Sequence, residues 1–304
     1  MRWLCLLAVL CAAAPAVEAQ TAAKVKRLGI LSVSAAAASD DNLEVLRRRL
    51  EELGYRYGQG IRFEQRTAEG RPERLRGQAR ELVSLNVDAI LAIGADAAGA
   101  AKEVTETIPI VFVPFGDASV VAGSNVTGFT QPRRDTVSKL VGQLKEVVPK
   151  AKRVAVLARA KDEAVLQEAK ALKLEVVQLA RAEDAPKVFA AFGKSKPDAL
   201  VVTLAAPVTP AKAAEHALKA RLPTIHEHRD FVQAGGLMSY GPKQSDLFRQ
   251  AAGYVVRILR GAKPGDLPAA QPASFDLAVN LKTATALRLT IPQPVVKRAH
   301  EVIR

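Results

Sequence analysis

Cysteine is nearly absent from this sequence of 304 residues, and the two that occur, Cys5 and Cys11, lie close to its N-terminus. The rest of the chain therefore has no disulfide, no thiolate metal site and no cysteine nucleophile. Aromatic residues are also scarce, at 5% of the chain, which leaves no aromatic-rich surface for stacking on nucleic acid bases. No apolar run approaches the roughly 20 residues that a membrane-spanning helix needs.

The N-terminus has the pattern of a secretory signal peptide. Arg2 is followed by an apolar stretch over residues 3–14, which Pro15 ends, and small residues stand at the positions that a signal peptidase reads. We predict cleavage after Ala19, which removes residues 1–19 and places the mature protein in the periplasm. Lipid attachment at Cys11 is disfavoured, because a leucine precedes it where a small residue is expected.

The charge is unbalanced, with 44 basic and 31 acidic side chains and a net charge of +13. Such a balance suits nucleic acid, an anionic membrane face or an acidic ligand as a partner. The basic residues are spread along predicted helices, as at Arg47, Arg48 and Arg49, and export removes most nucleic acid partners. We therefore interpret the excess as a generally basic surface and expect no nucleic acid partner.

Short apolar runs alternate with amphipathic helices from Arg27 onward. In the first half, predicted strands cover residues 28–33, 61–66, 87–93 and 108–113. The helices between them begin at an N-cap of Ser39 or Asp40, near Pro72, and at residue 97. This order restarts after Gly128, with strands over residues 152–157, 197–204 and 222–225 and a helix capped by Thr209. Each half is thus a βαβαβ unit, which builds a parallel sheet with helices on both faces.

The C-terminal part adds elements that belong to neither unit. It contains a strand-like run over residues 236–241, a helix over 245–260, a strand over 275–281 and a closing helix over 295–303. These elements can complete both halves if the chain crosses between them more than once. The predicted fold class is α/β, with two Rossmann-like lobes that have parallel sheets and are joined by a hinge.

Six phrases, in order along the chain, resemble a family of ABC-transporter substrate-binding proteins that includes proteins assigned as tryptophan and tyrosine binders. They are Asp-Ala-Ile-Leu-Ala at 88–92, Ile-Pro-Ile-Val-Phe at 108–112, Gly-Asp at 116–117, Asn-Val-Thr-Gly-Phe at 125–129, Gly-Gly-Leu-Met-Ser-Tyr-Gly at 235–241 and Asn-Leu-Lys-Thr-Ala at 280–284. Single phrases are weak signals, but the ordered set covers essentially the whole mature chain.

The resemblance implies the type I periplasmic-binding-protein fold, with three crossover strands and a ligand in the cleft between the lobes. It places residues 26–125 and 236–262 in the first lobe, and residues 126–235 and 263–304 in the second. The implied function is capture of a small solute, an amino acid or a small carboxylate, for an ABC importer. The implied partners are this solute and, transiently, the inner-membrane permease, with the protein itself a monomer.

Candidate ligand residues follow from the rule that parallel sheets bind ligands at the carboxyl ends of their strands. They are Ser32, Ser34, Gly94, Ala95, Asp96, Phe115, Gly116, Asp117, His226, Glu227 and Tyr240. Hydroxyls and free amides at the first five suit an anionic or carbonyl group. The aromatic rings suit an apolar body, and Asp117 or Glu227 suits a cationic group such as an α-amine.

Some of these residues also have purely structural interpretations. Asp96 can serve only as a helix N-cap, and Phe115 and Tyr240 can be core aromatics. His226 and His228 are spaced like a metal-binding pair on a strand, but no third ligand is obvious, so we expect no metal. Asp117, directly after a strand and a glycine, is the polar residue that we favour most.

An enzyme is not expected, and neither is a cofactor. The sequence has no Gly-x-Ser-x-Gly nucleophile motif, no P-loop and no Gly-x-Gly-x-x-Gly dinucleotide turn. Two alternatives stay open at this point. One is a sensor-type binding protein that reports its ligand to a membrane receptor without transport, since its fold and cleft would be the same. The other, less favoured, is an exported α/β hydrolase.

Overall fold

Two β-sheets organise the chain. The computed structural model describes residues 25–33, 38–113, 125–129, 136–159, 162–203 and 206–304. The predicted signal peptide lies outside the described residues, as do Ser34, Phe115, Gly116 and Asp117. Within the described ranges, no helix combines the length and the apolar character needed to cross a membrane.

The strands within the described ranges fall into a five-stranded and a seven-stranded sheet, which define the first and second lobes. The first sheet has the order β2-β1-β3-β4-β5, and every pairing in it is parallel. Its strands are β1 Lys26–Ser32, β2 Ile61–Thr67, β3 Ala89–Ile93, β4 Ile110–Val113 and β5 Val126–Gly128. The second sheet consists of β6 Val154–Arg159, β7 Glu175–Leu179, β8 Ala199–Val202, β9 Thr224–His226, β10 Met238–Pro242, β11 Phe275–Asn280 and β12 Glu301–Ile303. Its order is β12-β11-β10-β9-β8-β6-β7, and β10 and β11 are antiparallel.

Helices connect the strands and cover the sheets. They are α1 Asp40–Glu52, α2 Leu75–Ser84, α3 Ala95–Val104, α4 Thr136–Val147, α5 Glu163–Ala171, α6 Ala185–Ser195, α7 Pro210–Lys219, α8 Asp230–Gln233, α9 Gln244–Leu259, α10 Leu281–Ala286 and α11 Gln293–Arg298. Ser39 is the N-cap of α1, with its hydroxyl accepting from the Asn42 backbone N–H at 3.5 Å, and Asp40 lies in the first turn. Thr209 caps α7 and Pro210 begins it, as predicted.

The central strands of each sheet, such as β3 and β8, are buried on both faces, which is why they are continuously apolar. In β3, Leu91 packs against α1 and α9, whereas the flanking Ile90 and Ala92 pack against α2 and α3. This alternation follows from the two-residue period of a strand. The two faces of the first sheet therefore have separate apolar clusters, and the second sheet is built in the same way.

The structure places two strands in a different lobe from the one that the sequence-based boundaries assign. The strand Met238–Pro242, assigned with residues 236–262 to the first lobe, pairs with β9 and β11 in the second sheet, and only α9 packs in the first lobe. The strand Val126–Gly128, assigned to the second lobe, pairs with β4. An apolar run looks the same whichever sheet it joins, because long-range pairing alone selects the partner.

The predicted closing helix over residues 295–303 is wrong. The chain forms the short helix α11 and then the edge strand β12, which pairs with β11 in parallel. The Ala299 backbone turns to an extended conformation, and the His300 N–H donates to the Leu277 carbonyl at 2.8 Å. A run of three strand residues is too short for its periodicity to distinguish it from a helix end.

Gly241 in β10 allows a close contact between two backbone segments. A Cβ at this position would overlap the carbonyl oxygen of Glu227, in the turn that follows β9. No side chain can be accommodated there without moving this turn. The sequence Gly-Leu-Met-Ser-Tyr-Gly therefore ends in glycine for a steric reason.

We expect Gly241→Ala to lower the free energy of unfolding by about 1–3 kcal/mol, the usual cost of forcing an extra carbon into a packed site. The measurement is urea unfolding followed by circular dichroism. The matched control is Gly253→Ala within α9, where an added Cβ meets nothing within 4 Å. That change should be neutral or stabilising by roughly 0.5–1 kcal/mol. Equal effects of the two substitutions would contradict the steric explanation.

Candidate functional site

The carboxyl ends of the parallel strands of the two sheets face each other across a cleft. Asp96, in the first turn of α3, lies at the end of β3, and Arg159 is the last residue of β6. The Arg159 Nη1 atom is 3.6 Å from Asp96 Oδ1, and both side chains are about half exposed. A second contact between the lobes joins Arg229 Nη2 to Asp41 Oδ2 at 3.9 Å. The cleft is therefore bordered by groups of opposite charge.

One cavity of about 390 Å³ lies within the first lobe, at the carboxyl ends of β1 and β2. Its lining includes Ser32, Ser39, Asp40 and Thr67. Ser32 was predicted from its position after the first strand, and it is almost completely buried at this edge. The start of α1 forms the other wall, so backbone amides of a helix N-terminus lie near hydroxyl groups.

A second cavity, of about 310 Å³, lies between the lobes, and we call it the hinge cavity. The first lobe contributes the start of α1 and the start of α9. The second lobe contributes the turn after β9, strands β10 and β11, and the start of β12 with the residue before it. Its polar lining residues are Asp41, Asn42, Glu227, His228, Arg229, Ser239, Gln244, Ser245, Asp276, His300 and Glu301. This volume is within the usual range for small-molecule sites.

The predicted site residues do not all gather in one place. Glu227 lines the hinge cavity, Ser32 lines the cavity of the first lobe, and Gly94, Ala95 and Asp96 form the start of α3. Gly94 has a φ of 100°, a left-handed conformation that glycine adopts without strain, and it leads β3 directly into the helix. Ala95 and Asp96, the first two residues of α3, therefore lie at the edge of the cleft, where Asp96 approaches Arg159.

Tyr240 faces away from the hinge cavity. Its ring stacks on Phe275, with centroids 5.5 Å apart, and packs with the apolar cluster that contains Met238 and Val279. Ser239 and Gly241, on either side of it, line the cavity instead. Since neighbouring strand residues point to opposite faces, Tyr240 lies partly buried against this cluster, on the face away from the hinge cavity.

His226 is buried behind the cleft edge, with 2% of its surface exposed. Its Nδ1 atom accepts the His228 backbone N–H at 2.8 Å, and its ring stacks on Phe231 at 5.4 Å between centroids. Burial, with a smaller contribution from His228, lowers the pKa of the imidazole from 6.5 to about 3. His226 therefore stays neutral near pH 7 and fixes the turn that carries Glu227. Within the described ranges, no group of three histidine, cysteine or acidic side chains could hold a metal ion.

Several cleft residues were not singled out from the sequence. Arg159 ends a strand, so the same carboxyl-end rule identifies it once β6 is extended to its observed bounds. Asn42 lies in the first turn of α1, beside its predicted cap. Ser239 precedes Tyr240 and must face the other side of the sheet, which the strand alternation indicates. Gln244 and Asp276 have no comparable sequence signal.

The pKa of His226 predicts a pH dependence of stability. Because the folded-state pKa lies below the unfolded value, the unfolded chain binds more protons at intermediate pH, so stability falls as pH drops below 6.5. Between pH 7.5 and 5 this single group should remove about 2 kcal/mol. His226→Asn can retain an acceptor for the His228 N–H but does not titrate, and should lose less stability over that range in urea titrations. An unchanged pH slope in the variant would contradict this assignment.

Comparison with known proteins gives a family and several relatives. The sequence model of the family described as ABC transporter substrate binding protein matches residues 28–303. A protein of Clostridioides difficile named tyrosine-binding protein is 24% identical over 286 residues, which cover 87% of this chain and 81% of that protein.

Two solved structures show the same arrangement of the chain. A conserved domain protein from Vibrio cholerae has a TM-score of 0.77 at 25% identity, covering 92% of this chain and 100% of that one. An ABC domain from Streptococcus pneumoniae, solved in complex with L-Trp, has a TM-score of 0.77 at 22% identity with the same coverage, and this likeness shows the fold alone. The predicted α/β fold with two lobes is confirmed.

Proposed function

The chain belongs to the ABC transporter substrate-binding protein family, and we propose that it captures a small solute between its lobes and delivers it to an ABC importer. The resemblance found in the sequence is thereby confirmed. So is the prediction of a binding protein rather than an enzyme, because the family consists of solute-binding proteins. The transport step and the identity of the solute are the proposal.

The observation that carries this proposal is the approach of Arg159 to Asp96 across the cleft. It brings the carboxyl ends of both sheets together, where parallel sheets bind their ligands. A solute that contacts both edges stabilises the closed arrangement of the lobes relative to an open one. A membrane partner that recognises the closed arrangement then receives only loaded protein.

An amino acid or a small carboxylate is the solute class that these groups favour. The free amides at the start of α3 and the Arg159 guanidinium both suit a carboxylate. Ser32 adds a hydroxyl at the neighbouring strand end, and Glu227 suits an amine. Phe115 and Asp117, outside the described residues, keep their proposed roles as an apolar contact and a second amine partner. The relative named tyrosine-binding protein and the structure solved in complex with L-Trp both agree with this solute class.

The cellular setting is part of the same proposal. Cleavage after Ala19 releases the mature chain, from Gln20 onward, into the periplasm, where it works as a monomer. The inner-membrane permease is its transient partner. Family membership supports this arrangement, since substrate-binding proteins work outside the cytoplasm with a membrane transporter.

A thermal-shift screen of residues 20–304 tests capture directly. The panel contains L-tyrosine, L-tryptophan, benzoate and myo-inositol, each at increasing concentration. A ligand at a hundred times its Kd adds about 2.7 kcal/mol to the stability of the protein. The melting temperature of the protein should therefore rise with ligand concentration in a saturable manner. A rise with an amino acid or with benzoate supports the solute class, whereas a rise with myo-inositol alone contradicts it.

Arg159→Gln should weaken binding of a carboxylate-bearing ligand at least about tenfold, because a hydrogen bond to a charged group is worth roughly 1.5–3 kcal/mol. Isothermal titration calorimetry with the best ligand of the screen measures the change. The matched control is Arg221→Gln, an exposed arginine three residues before β9, at the opposite, amino edge of the same sheet. Equal affinities of the two variants would remove Arg159 from the site.

A further inference from the structure

A row of basic side chains occupies the amino edge of the second sheet, on the side away from the cleft. β6, β7, β8 and β9 are parallel neighbours, so the loops that lead from a helix into each of them meet at this edge. These loops cover residues 148–153, 172–174, 196–198 and 220–223. They contain one acid and six basic residues, which are Lys150, Lys152, Arg153, Lys173, Lys196 and Arg221.

The last turns of the four preceding helices add further lysines to the same edge. They are Lys145, Lys170, Lys194 and Lys219. All ten basic side chains are exposed. We call these ten residues the basic edge.

Three acids near the basic edge are already bonded to other groups. The Asp198 carboxylate accepts the backbone N–H groups of Lys152 and Arg153, each at 2.8 Å, which fixes the loop before β8 beside the loop before β6. Glu146 in α4 accepts from an arginine of α11 at 2.6 Å, and Glu168 in α5 accepts a backbone N–H at the start of α4 at 2.8 Å. A local excess of positive charge therefore remains at this edge.

The corresponding edge of the first lobe is not basic. The loops that lead from helices into its strands β2, β3 and β4 cover residues 53–60, 85–88 and 105–109. These three loops contain one basic residue, Arg56, and two acids, Asp88 and Glu106. The three loops into β7, β8 and β9 contain three basic residues and one acid. The basic edge is therefore a property of the second lobe and not of the arrangement that the lobes share.

Three residues of the basic edge have a left-handed backbone, where glycine or asparagine is usual. Lys173, Lys196 and Arg221 follow α5, α6 and α7 with φ values of 55°, 47° and 51°. The first lobe has Gly54 and Asn86 after α1 and α2. A cation stabilises a helix C-terminus, but the lysines of the last turns already supply this interaction. The use of long basic side chains in an unfavourable conformation at three successive helix ends therefore favours a functional role for their charge.

Two exposed leucines lie at the same edge. Leu172 is the C-cap of α5 and Leu218 lies in the last turn of α7, and each is 39% exposed. With Tyr57 they are the large apolar side chains that the described part of the chain leaves exposed. α5 and α7 pack on opposite faces of the second sheet, so the leucines lie on either side of the basic loops. Apolar side chains beside a row of lysines are typical of a surface that contacts lipid headgroups.

The composition of the edge favours lipid over nucleic acid as its partner. The four loops contain no aromatic residue, and proteins that bind single-stranded nucleic acid use aromatic side chains to stack on the bases. A layer of anionic phospholipid accommodates both kinds of side chain at this edge. Lysine and arginine contact the phosphates, and leucine reaches the boundary of the acyl chains.

We propose that the basic edge binds the surface of a bilayer that contains anionic phospholipid. The cleft lies at the carboxyl ends of the same strands, so it stays accessible to solute while the opposite edge contacts the membrane. This interaction requires neither the solute nor the permease, and it adds retention at a membrane surface to the proposed function. Salt should weaken it, because exposed charges are screened beyond about 8 Å at about 0.15 M ionic strength.

Sedimentation with vesicles tests the proposal. The mature chain, residues 20–304, is mixed with vesicles of equal parts phosphatidylglycerol and phosphatidylcholine, or of phosphatidylcholine alone. We expect binding to the anionic vesicles to be at least about tenfold tighter at low salt, and to weaken as salt is added. Equal binding to both kinds of vesicle, or binding to neither, would overturn the inference. Neither result bears on solute capture, which the thermal-shift screen measures without lipid.

Removal of charge locates the contact at the basic edge. Lys150→Gln, Lys173→Gln and Lys194→Gln in one chain should weaken binding to the anionic vesicles at least about tenfold. Unlike Lys219, which pairs with Glu215, these three lysines form no ion pair in the described part of the chain. Their replacement should therefore leave the fold unchanged, which the melting temperature checks.

The matched control removes the same amount of charge from exposed positions of the first lobe. It combines Arg56→Gln, Arg62→Gln and Arg80→Gln. This control should bind the anionic vesicles within about twofold of the unchanged protein, because short-range contacts dominate once salt screens distant charges. If both triple variants lose affinity equally, net charge and not the basic edge makes the contact, and the inference is wrong.

The leucines distinguish a lipid surface from other polyanions. Leu172→Ser with Leu218→Ser keeps every charge, so it should weaken binding to the anionic vesicles at least about threefold through the loss of buried apolar area. Binding to polyglutamate should stay the same. If the double variant binds the vesicles as tightly as the unchanged protein does, the edge recognises negative charge alone, as on an acidic protein, and the assignment to lipid is overturned.

Discussion

The close contact between the Glu227 carbonyl and Gly241 is the constraint on which the cleft geometry depends. It brings the turn after β9 directly over β10, so that Glu227, His228 and Arg229 stand beside Ser239 at one cavity. One residue after β10 the chain leaves the second sheet and forms α9, which packs on α1 in the first lobe. The same few residues therefore join the lobes and line the space between them.

The turn over Gly241 is stabilised from behind by a histidine that does not ionise. The Nδ1 atom of His226 accepts the His228 N–H, and protonation would abolish this acceptor. Burial prevents protonation near pH 7 by lowering the pKa to about 3. A neutral His226 thus holds the turn after β9 in place without adding positive charge beside Glu227. The local excess of carboxylates is therefore preserved.

Much of the fold was accessible from the sequence because its signals are local. The short apolar runs of the buried strands, a cap of α1 at Ser39 or Asp40, and Pro210 at the start of α7 all follow from neighbouring residues. The carboxyl-end rule also identified Ser32 and Glu227, which line cavities. What the sequence did not decide was the sheet that β10 joins and the existence of β12. Both depend on pairing with β11. This strand lies tens of residues from β10 in the sequence, and β12 is an edge strand of only three residues.

The charge around the hinge cavity differs from the net charge of the protein, and composition alone does not reveal this difference. A net charge of +13 describes the surface as a whole, and at physiological salt such a field is screened within about 8 Å. A ligand in the hinge cavity interacts instead with the groups around it, where Glu227, Asp276 and Glu301 outnumber Arg229. These three acids come from separate segments of the second lobe, and only the order of its sheet brings them together. The local excess of carboxylates is therefore a consequence of topology, and it opposes the sign of the whole protein.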